Sequence, residues 1–168
     1  MERPLTQHIN LDAPPGMAAY KKTGGYRALE RVLKMSPKDV QKLVQDSNLK
    51  GRGGAGFNTG MKWSFVPMGD DSPRPKYLIA NADEMEPGTF KDRLLLEGDP
   101  HQLIEGMIIA AYAIQADIAY VFLRWAYRKA AQLIRKSIDE AYEQGYLGKN
   151  IMGSGFSLEM HLHTGVGR

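Results

Sequence analysis

The chain contains no cysteine. Disulfides, cysteine-ligated iron–sulfur clusters, cysteine zinc sites and thiol nucleophiles are therefore excluded within its 168 residues. It also lacks a long hydrophobic run. The longest, Met107 to Ile114, is eight residues, far short of the ~20 that cross a bilayer, so no direct membrane insertion is expected. The first thirty residues hold Pro4, Pro14, Pro15 and scattered charges but no apolar block; no secretory signal is visible, and a cytosolic setting is the default expectation. Charge of one sign is scarce in excess: 22 Lys and Arg against 19 Asp and Glu leave +3, too little to argue a nucleic-acid partner. There is no His-Glu-x-x-His, no Gly-x-Ser-x-Gly and no evident nucleophile–base pair.

What is present is an ordinary globular profile, 43% hydrophobic and 24% charged, over a length that suits one domain. Residues 1–25 read as an extended N-terminal arm, and 26–168 as an α/β unit. Leu29, Val32 and Leu33 sit at helical spacing. Ser36-Pro37-Lys38-Asp39 then reads as a helix start, a Ser cap followed by Pro in the first turn and an acid three residues on. Tyr77–Ala80 reads as a buried strand, and Asp99-Pro100 caps a helix from about His101 to Ala116. Ile118–Leu123 reads as a second strand and 126–143 as an amphipathic helix. Leu158, Met160 and Leu162 alternate with Glu159, His161 and His163 as a half-buried strand. Strands alternating with helices predict a Rossmann-like α/β layer with a mostly parallel sheet.

Eighteen glycines exceed the usual ~7% share, and five of them fall between Gly51 and Gly60. Gly51-x-Gly53-x-x-Gly56 formally matches a dinucleotide fingerprint, but a helix precedes it instead of a strand. A backbone without side chains can approach a phosphate closely and present several N–H donors, with Arg52 and Lys62 adding positive charge. The plainer alternative is a permissive surface loop. Phe57 and Phe65 could stack on a heteroaromatic ring or could be core residues. The turn Asn81-Ala82-Asp83-Glu84-Met85-Glu86 follows the first strand, where open α/β sheets hold ligands; its carboxylates suit ribose hydroxyls, or it is a solvated acidic turn. His161 and His163 share a strand face without a completing carboxylate. Arg124, Arg128, Lys129, Arg135 and Lys136 form a basic flank, solvated or docking a partner.

Two blocks, Gly51-Arg52-Gly53-Gly54-Ala55-Gly56-Phe57 with Thr59-Gly60 and Lys62-Trp63-Ser64, then Asn81-Ala82-Asp83-Glu84 through Glu86-Pro87-Gly88-Thr89-Phe90-Lys91-Asp92-Arg93, are more specific than any one motif. With Gly153-x-Gly155-Phe156 and His163-Thr164-Gly165, they closely resemble the family of flavin-binding (F-type, 51 kDa-type) subunits of respiratory NADH:quinone oxidoreductase, from about Tyr26 to Arg168. Diaphorase subunits of hydrogenases and formate dehydrogenases are similar.

The resemblance implies FMN as cofactor and NAD(H) as substrate, with hydride transfer from NADH to FMN and onward electron transfer to iron–sulfur clusters and quinone. It assigns Gly51, Arg52, Gly53, Gly54, Ala55, Gly56, Phe57, Asn58, Thr59 and Gly60 to a nucleotide-binding loop. It puts Lys62 beside phosphate oxygens and Phe57 and Phe65 beside the NADH rings. Asn81, Asp83 and Glu84 are expected to contact FMN, Glu86 to lie near NADH, and Gly165, Val166, Gly167 and Arg168 to form a second cofactor-facing turn. A 4Fe-4S cluster is expected in the full-length family but not ligated by this cysteine-free chain. The chain is thus expected to be an N-terminal portion. Its implied partners are the thioredoxin-like iron–sulfur subunit and the large iron–sulfur subunit of the peripheral arm, on the cytoplasmic face of the inner membrane. A non-catalytic nucleotide-binding or assembly module remains the competing reading. Trp125-Ala126 departs from the family's usual Gly-Glu and is expected to crowd the strand-to-helix turn.

Overall fold

A computed structural model describes residues 5–9 and 13–166. Four helices come first: α1 (Met17–Lys22), α2 (Arg27–Val32), α3 (Pro37–Asp46) and α4 (Thr59–Ser64). The sheet follows, with β1 (Tyr77–Ala82), α5 (Lys91–Gly98), α6 (Pro100–Ile114), β2 (Ile118–Arg124), α7 (Arg128–Glu143) and β3 (Glu159–Gly165). The three strands are parallel in the order β1-β2-β3. Because they are parallel, their C-terminal ends share one edge, where Ala82 pairs with Leu123 and Arg124 with Gly165.

The α/β expectation holds, and local signals account for much of it. Ser36 Oγ accepts from the Asp39 amide at 3.2 Å, and Pro37 opens α3, as the capping pattern predicts. Ala119, Val121 and Leu123 of β2 are fully buried against Ile104 and Ile108 of α6 and Ile134 of α7. β1 is an edge strand with β2 its only partner among the described residues. Its Tyr77 and Ile79 are 54% and 62% exposed, and an apolar groove of about 380 Å³ runs beside it, lined by Leu78, Leu95, Leu103 and Met107.

Five features differ from the expectations. The first strand is not buried: Tyr77 and Ile79 lie exposed on it. The N-terminal arm contains a helix, α1, because Met17 and Tyr20 bury one turn apart, and Glu140 of α7 accepts from the Met17 amide at 3.1 Å. Helix α5 is an additional element; its start is set by Glu84, outside its own segment. Asp99 does not cap α6 with its side chain; its carboxylate turns to His8 Nδ1 at 2.6 Å instead. Finally, Thr59 and Gly60 belong to α4, not to the glycine loop.

Docking of α1 and α2 rests on a buried polar cluster. Glu105 of α6 accepts from the Tyr20 hydroxyl at 2.6 Å and from the amides of Tyr26 and Leu29 at 2.8 and 3.1 Å. Tyr26 adopts a left-handed backbone (φ +63°), which turns the chain so that its ring stacks on Tyr146. Its hydroxyl meets fully buried His101, whose other ring nitrogen contacts Glu140 at 2.8 Å.

Candidate functional site

The glycine loop is a closed excursion. An antiparallel bridge between Lys50 and Asn58 forms its neck, with Gly51 N donating to Phe57 O at 2.9 Å and Thr59 N to Leu49 O at 2.8 Å. Gly54 and Gly56 have φ of +142° and +63°, conformations that favour glycine. Gly53 has neither a positive φ nor any atom that a Cβ would meet within 4 Å. Nothing among the described residues requires glycine there. Gly60 is the opposite case: a Cβ would fall 2.2 Å from the Gln45 amide nitrogen, so this glycine lets α4 cross α3 closely. Asn58 caps α4, its Oδ1 accepting from Met61 N at 2.9 Å, while its amide donates to Gln45 O. Arg52 and Lys62 are exposed. Phe57 and Phe65 are exposed too, their ring centroids 6.2 Å apart, so neither is a core residue.

The acidic turn stands at the C-terminal edge of the sheet. Asn81 Oδ1 accepts from the Asp83 amide at 3.1 Å, and Asp83 Oδ1 is buried without a hydrogen-bond partner. Glu84 is spent inside the protein. Its carboxylate accepts from the amides of Asp92 and Arg93 at the start of α5 (3.0 and 3.4 Å) and from the Tyr127 hydroxyl (3.1 Å), with Lys91 Nζ at 3.7 Å. Burial pushes its pKa up, but these hydrogen bonds and Lys91 outweigh burial and hold it below the usual value. A carboxyl with a lowered folded-state pKa stabilises the fold above its unfolded pKa, and that contribution is lost as pH falls. Glu84→Gln is thus expected to lower stability at pH 7 by about 1–2 kcal/mol. It should also flatten the acid limb below about pH 4.5, read from urea unfolding at pH 7 and pH 4. Glu86 is exposed, as an acid beside a ligand or in a solvated turn would be.

Two residues that the sequence did not single out beside the turn complete this edge. Arg124 donates to the Glu84 carbonyl at 2.8 Å, and Tyr127 reaches its carboxylate. Trp125 does not crowd the turn. Its amide donates to Gly165 O at 2.9 Å, tying β2 to the end of β3, and its ring is 54% exposed under the Arg128 guanidinium at 4.5 Å. Gly165 packs on Phe122, where a Cβ would come within 2.8 Å of the ring. Val166 is 86% exposed; Gly167 and Arg168 lie outside the described residues. His163 stacks on Phe122 and His161 meets Tyr120 at a tilt, and among the described residues no three His, Asp or Glu side chains gather as a metal site.

Comparison with known proteins identifies the family and the fold. Residues 44–168 match the family Complex1_51K, described as the Nuo51 FMN-binding domain. The second of the F subunits of NADH-quinone oxidoreductase in Rhizobium meliloti is 54% identical over 161 residues, 94% of this chain and 38% of that protein. The F subunit of the Escherichia coli NADH-quinone oxidoreductase is 51% identical over 167 residues, 98% of this chain and 37% of that protein. A crystal structure of an NAD+-reducing [NiFe]-hydrogenase superposes with a TM-score of 0.66 at 34% identity, covering 99% of this chain and 25% of the hydrogenase chain. The chain therefore spans less than two-fifths of the length of these two oxidoreductase relatives. With the family model matched across residues 44–168, the chain belongs to the Complex1_51K family, the Nuo51 FMN-binding domain.

Proposed function

We propose that this chain is the FMN- and NADH-binding portion of an NADH-quinone oxidoreductase flavoprotein subunit. The observation that carries the reading is Gly53, a glycine that neither packing nor backbone conformation demands, in an open loop between Arg52 and the exposed ring of Phe57. Close approach of a phosphate to peptide N–H groups is a physical reason for glycine at such a position.

The residues of the acidic turn fit FMN. The buried, unpartnered Oδ1 of Asp83 needs a donor, and a flavin imide N–H or a ribityl hydroxyl supplies one. Asn81 keeps its side-chain amide N–H groups to donate in turn. Glu84 acts at one remove: spent on α5 and Tyr127, it fixes the turn that presents Asp83. Bound FMN supplies the hydride acceptor and the route to one-electron carriers. Phe57 and Phe65 would flank the nicotinamide or adenine ring and exclude water, while Arg52 and Lys62 would balance phosphate charge. Glu86 would lie beside NADH, and residues 165–168 beside the cofactor.

In the whole protein, onward transfer would pass to a 4Fe-4S cluster held outside this chain and then to quinone. The partners would be the thioredoxin-like and large iron–sulfur subunits, on the cytoplasmic face of the membrane. Among the described residues no helix is long and apolar enough to cross a membrane. The hydrogenase neighbour supports a second reading, a diaphorase subunit, at 34% identity against 54% and 51% for the two oxidoreductase relatives.

Gly54→Val tests the loop. At φ +142° a branched side chain is strained and stands in the phosphate approach path. NADH affinity, followed by isothermal titration, is expected to fall at least about tenfold while the far-ultraviolet circular dichroism is retained. Unchanged affinity would remove the loop from the site.

A further inference from the structure

Helix α5 is held at its two ends by different parts of the chain. At its start, the amides of Asp92 and Arg93 are tied to Glu84 of the acidic turn. At its end, Gly98 and Asp99 meet Leu5–Ile9, a piece of the N-terminal arm. Ile9 lies so close that a Cβ on Gly98 would fall 2.7 Å from its Cγ2 and 3.0 Å from its Cα. Gly98 has no positive φ, so this approach is what asks for glycine there. His8 is buried beside it, its Nδ1 meeting the Asp99 carboxylate at 2.6 Å across 91 residues of sequence. A carboxylate only accepts, so Nδ1 carries the proton. Leu5 lines the apolar groove of about 380 Å³ that lies between β1 and the helices α5 and α6.

Two features make this contact a latch and not a fixed part of the core. Among the described residues, His8–Asp99 is the one hydrogen bond that joins Leu5–Ile9 to the rest of the chain. The segment's other bond, Ile9 N to Thr6 O at 3.4 Å, is internal. Second, Asp99 is 3% exposed and its Oδ1 has no hydrogen-bond partner, so the docked carboxylate is only half satisfied. Without His8 the acid would be buried and uncompensated, and solvating it requires the segment to lift. Docking is therefore a two-state exchange of one imidazole for water. The groove gives that exchange something to act on, because a void beside α5 leaves the helix incompletely packed against the sheet. An eight-residue helix moves as one body, so slack at Gly98 is felt at Asp92 and Arg93.

We propose that Leu5–Ile9 is a strap, latched at His8–Asp99, that braces α5 from the end opposite the acidic turn. Latched, it keeps the groove beside β1 closed on the Leu5 side and the start of α5 firm on Glu84. Released, it opens the groove and loosens the turn. The strap stands on packing alone; only its meaning for FMN rests on the reading above.

Because the chain has no cysteine, a single nitroxide can be placed at Gln7→Cys, an exposed position within the strap. Its spin-resonance line shape is compared in the otherwise unaltered chain, His8→Ala, Asp99→Asn and the two together. Nile red emission reports the groove, and hydrogen exchange reports the Asp92 and Arg93 amides. The label is expected to be immobilised in the unaltered chain and mobile in His8→Ala. Dye emission should rise about threefold and exchange at Asp92 and Arg93 about tenfold, while the amides of β2 exchange as before. The double variant should be no looser than His8→Ala alone, since both changes act through one contact. Removal of residues 1–9 should reproduce the dye and exchange changes. A label that stays immobile in His8→Ala, or one that moves while dye and exchange stay unchanged, overturns the strap. So does equal acceleration in β2, which would make the contact part of the core. Flavin is titrated separately: strap release with FMN affinity unchanged keeps the strap and counts against the acidic turn as the flavin seat.

Discussion

Gly60→Ala is expected to lower the stability of this protein by about 2–3 kcal/mol, a strain-driven loss out of proportion to one methyl group. The new Cβ would sit 2.2 Å from the Gln45 amide nitrogen, 2.5 Å from its Cα and 2.7 Å from the Gln41 carbonyl oxygen. All three are backbone atoms of α3, so no rotamer change relieves the clash and the helices must separate. Such a loss corresponds to a drop in Tm of roughly 5–10 °C for a chain of this size, measured by thermal and urea unfolding. The contrast is Gly53→Ala. A Cβ there meets nothing, and the change should stay within about 0.5 kcal/mol. Equal effects at the two glycines would refute the division between a packing glycine and one that faces open space. Separation of α3 from α4 would also displace Phe65, so on the proposed nucleotide-binding reading Gly60→Ala weakens NADH binding as well.

Glu105→Ala should be at least as severe. Glu105 is buried and satisfies three buried donors, the Tyr20 hydroxyl and the amides of Tyr26 and Leu29. Truncation leaves all three without an acceptor, and about 3–5 kcal/mol is the expected loss, seen as release of α1 and α2 in hydrogen exchange. The same cluster fixes an alkaline limit. Burial, and then Glu105, push the Tyr20 and Tyr26 phenols far above their ordinary range. Once the pH exceeds about 10, the unfolded chain releases these protons and the folded one retains them. The unfolded state then binds fewer protons, and stability falls as pH rises. Urea midpoints between pH 8 and pH 11 should show this fall, shallower in Glu105→Gln, whose neutral amide no longer raises the phenols.

The fold was legible where its causes are local. Ser36, Pro37 and Asp39 announce α3 within four residues, and the alternation around Leu158, Met160 and Leu162 announces β3. Legibility failed where causes are distant. The start of α5 is fixed by Glu84, eight residues upstream of Asp92, while the consecutive Leu94, Leu95 and Leu96 give no helical period. Helix α1 depends on Glu140, 123 residues away. Composition likewise groups Gly53 with Gly60, although one faces open space and the other a helix backbone. At the site, the glycines, the acids and the basic flank were visible as residues. The meeting of Arg93 and Arg124 over the Tyr127 ring was not, because only the parallel register and the turn after β1 bring α5 to the end of β2.

Among the described residues the outer edge of β1 is unpaired, with a practical consequence for the behaviour of this chain in concentrated solution. An unpaired parallel strand offers a row of open backbone donors and acceptors, and here it is flanked by exposed Tyr77 and Ile79 instead of by protective charges. A second molecule presenting the same edge can pair with it, and a net charge of +3 provides weak long-range repulsion. Colloidal stability of the isolated chain is therefore governed by strand pairing, so its solubility should respond more to Ile79→Lys than to the salt or pH of the buffer.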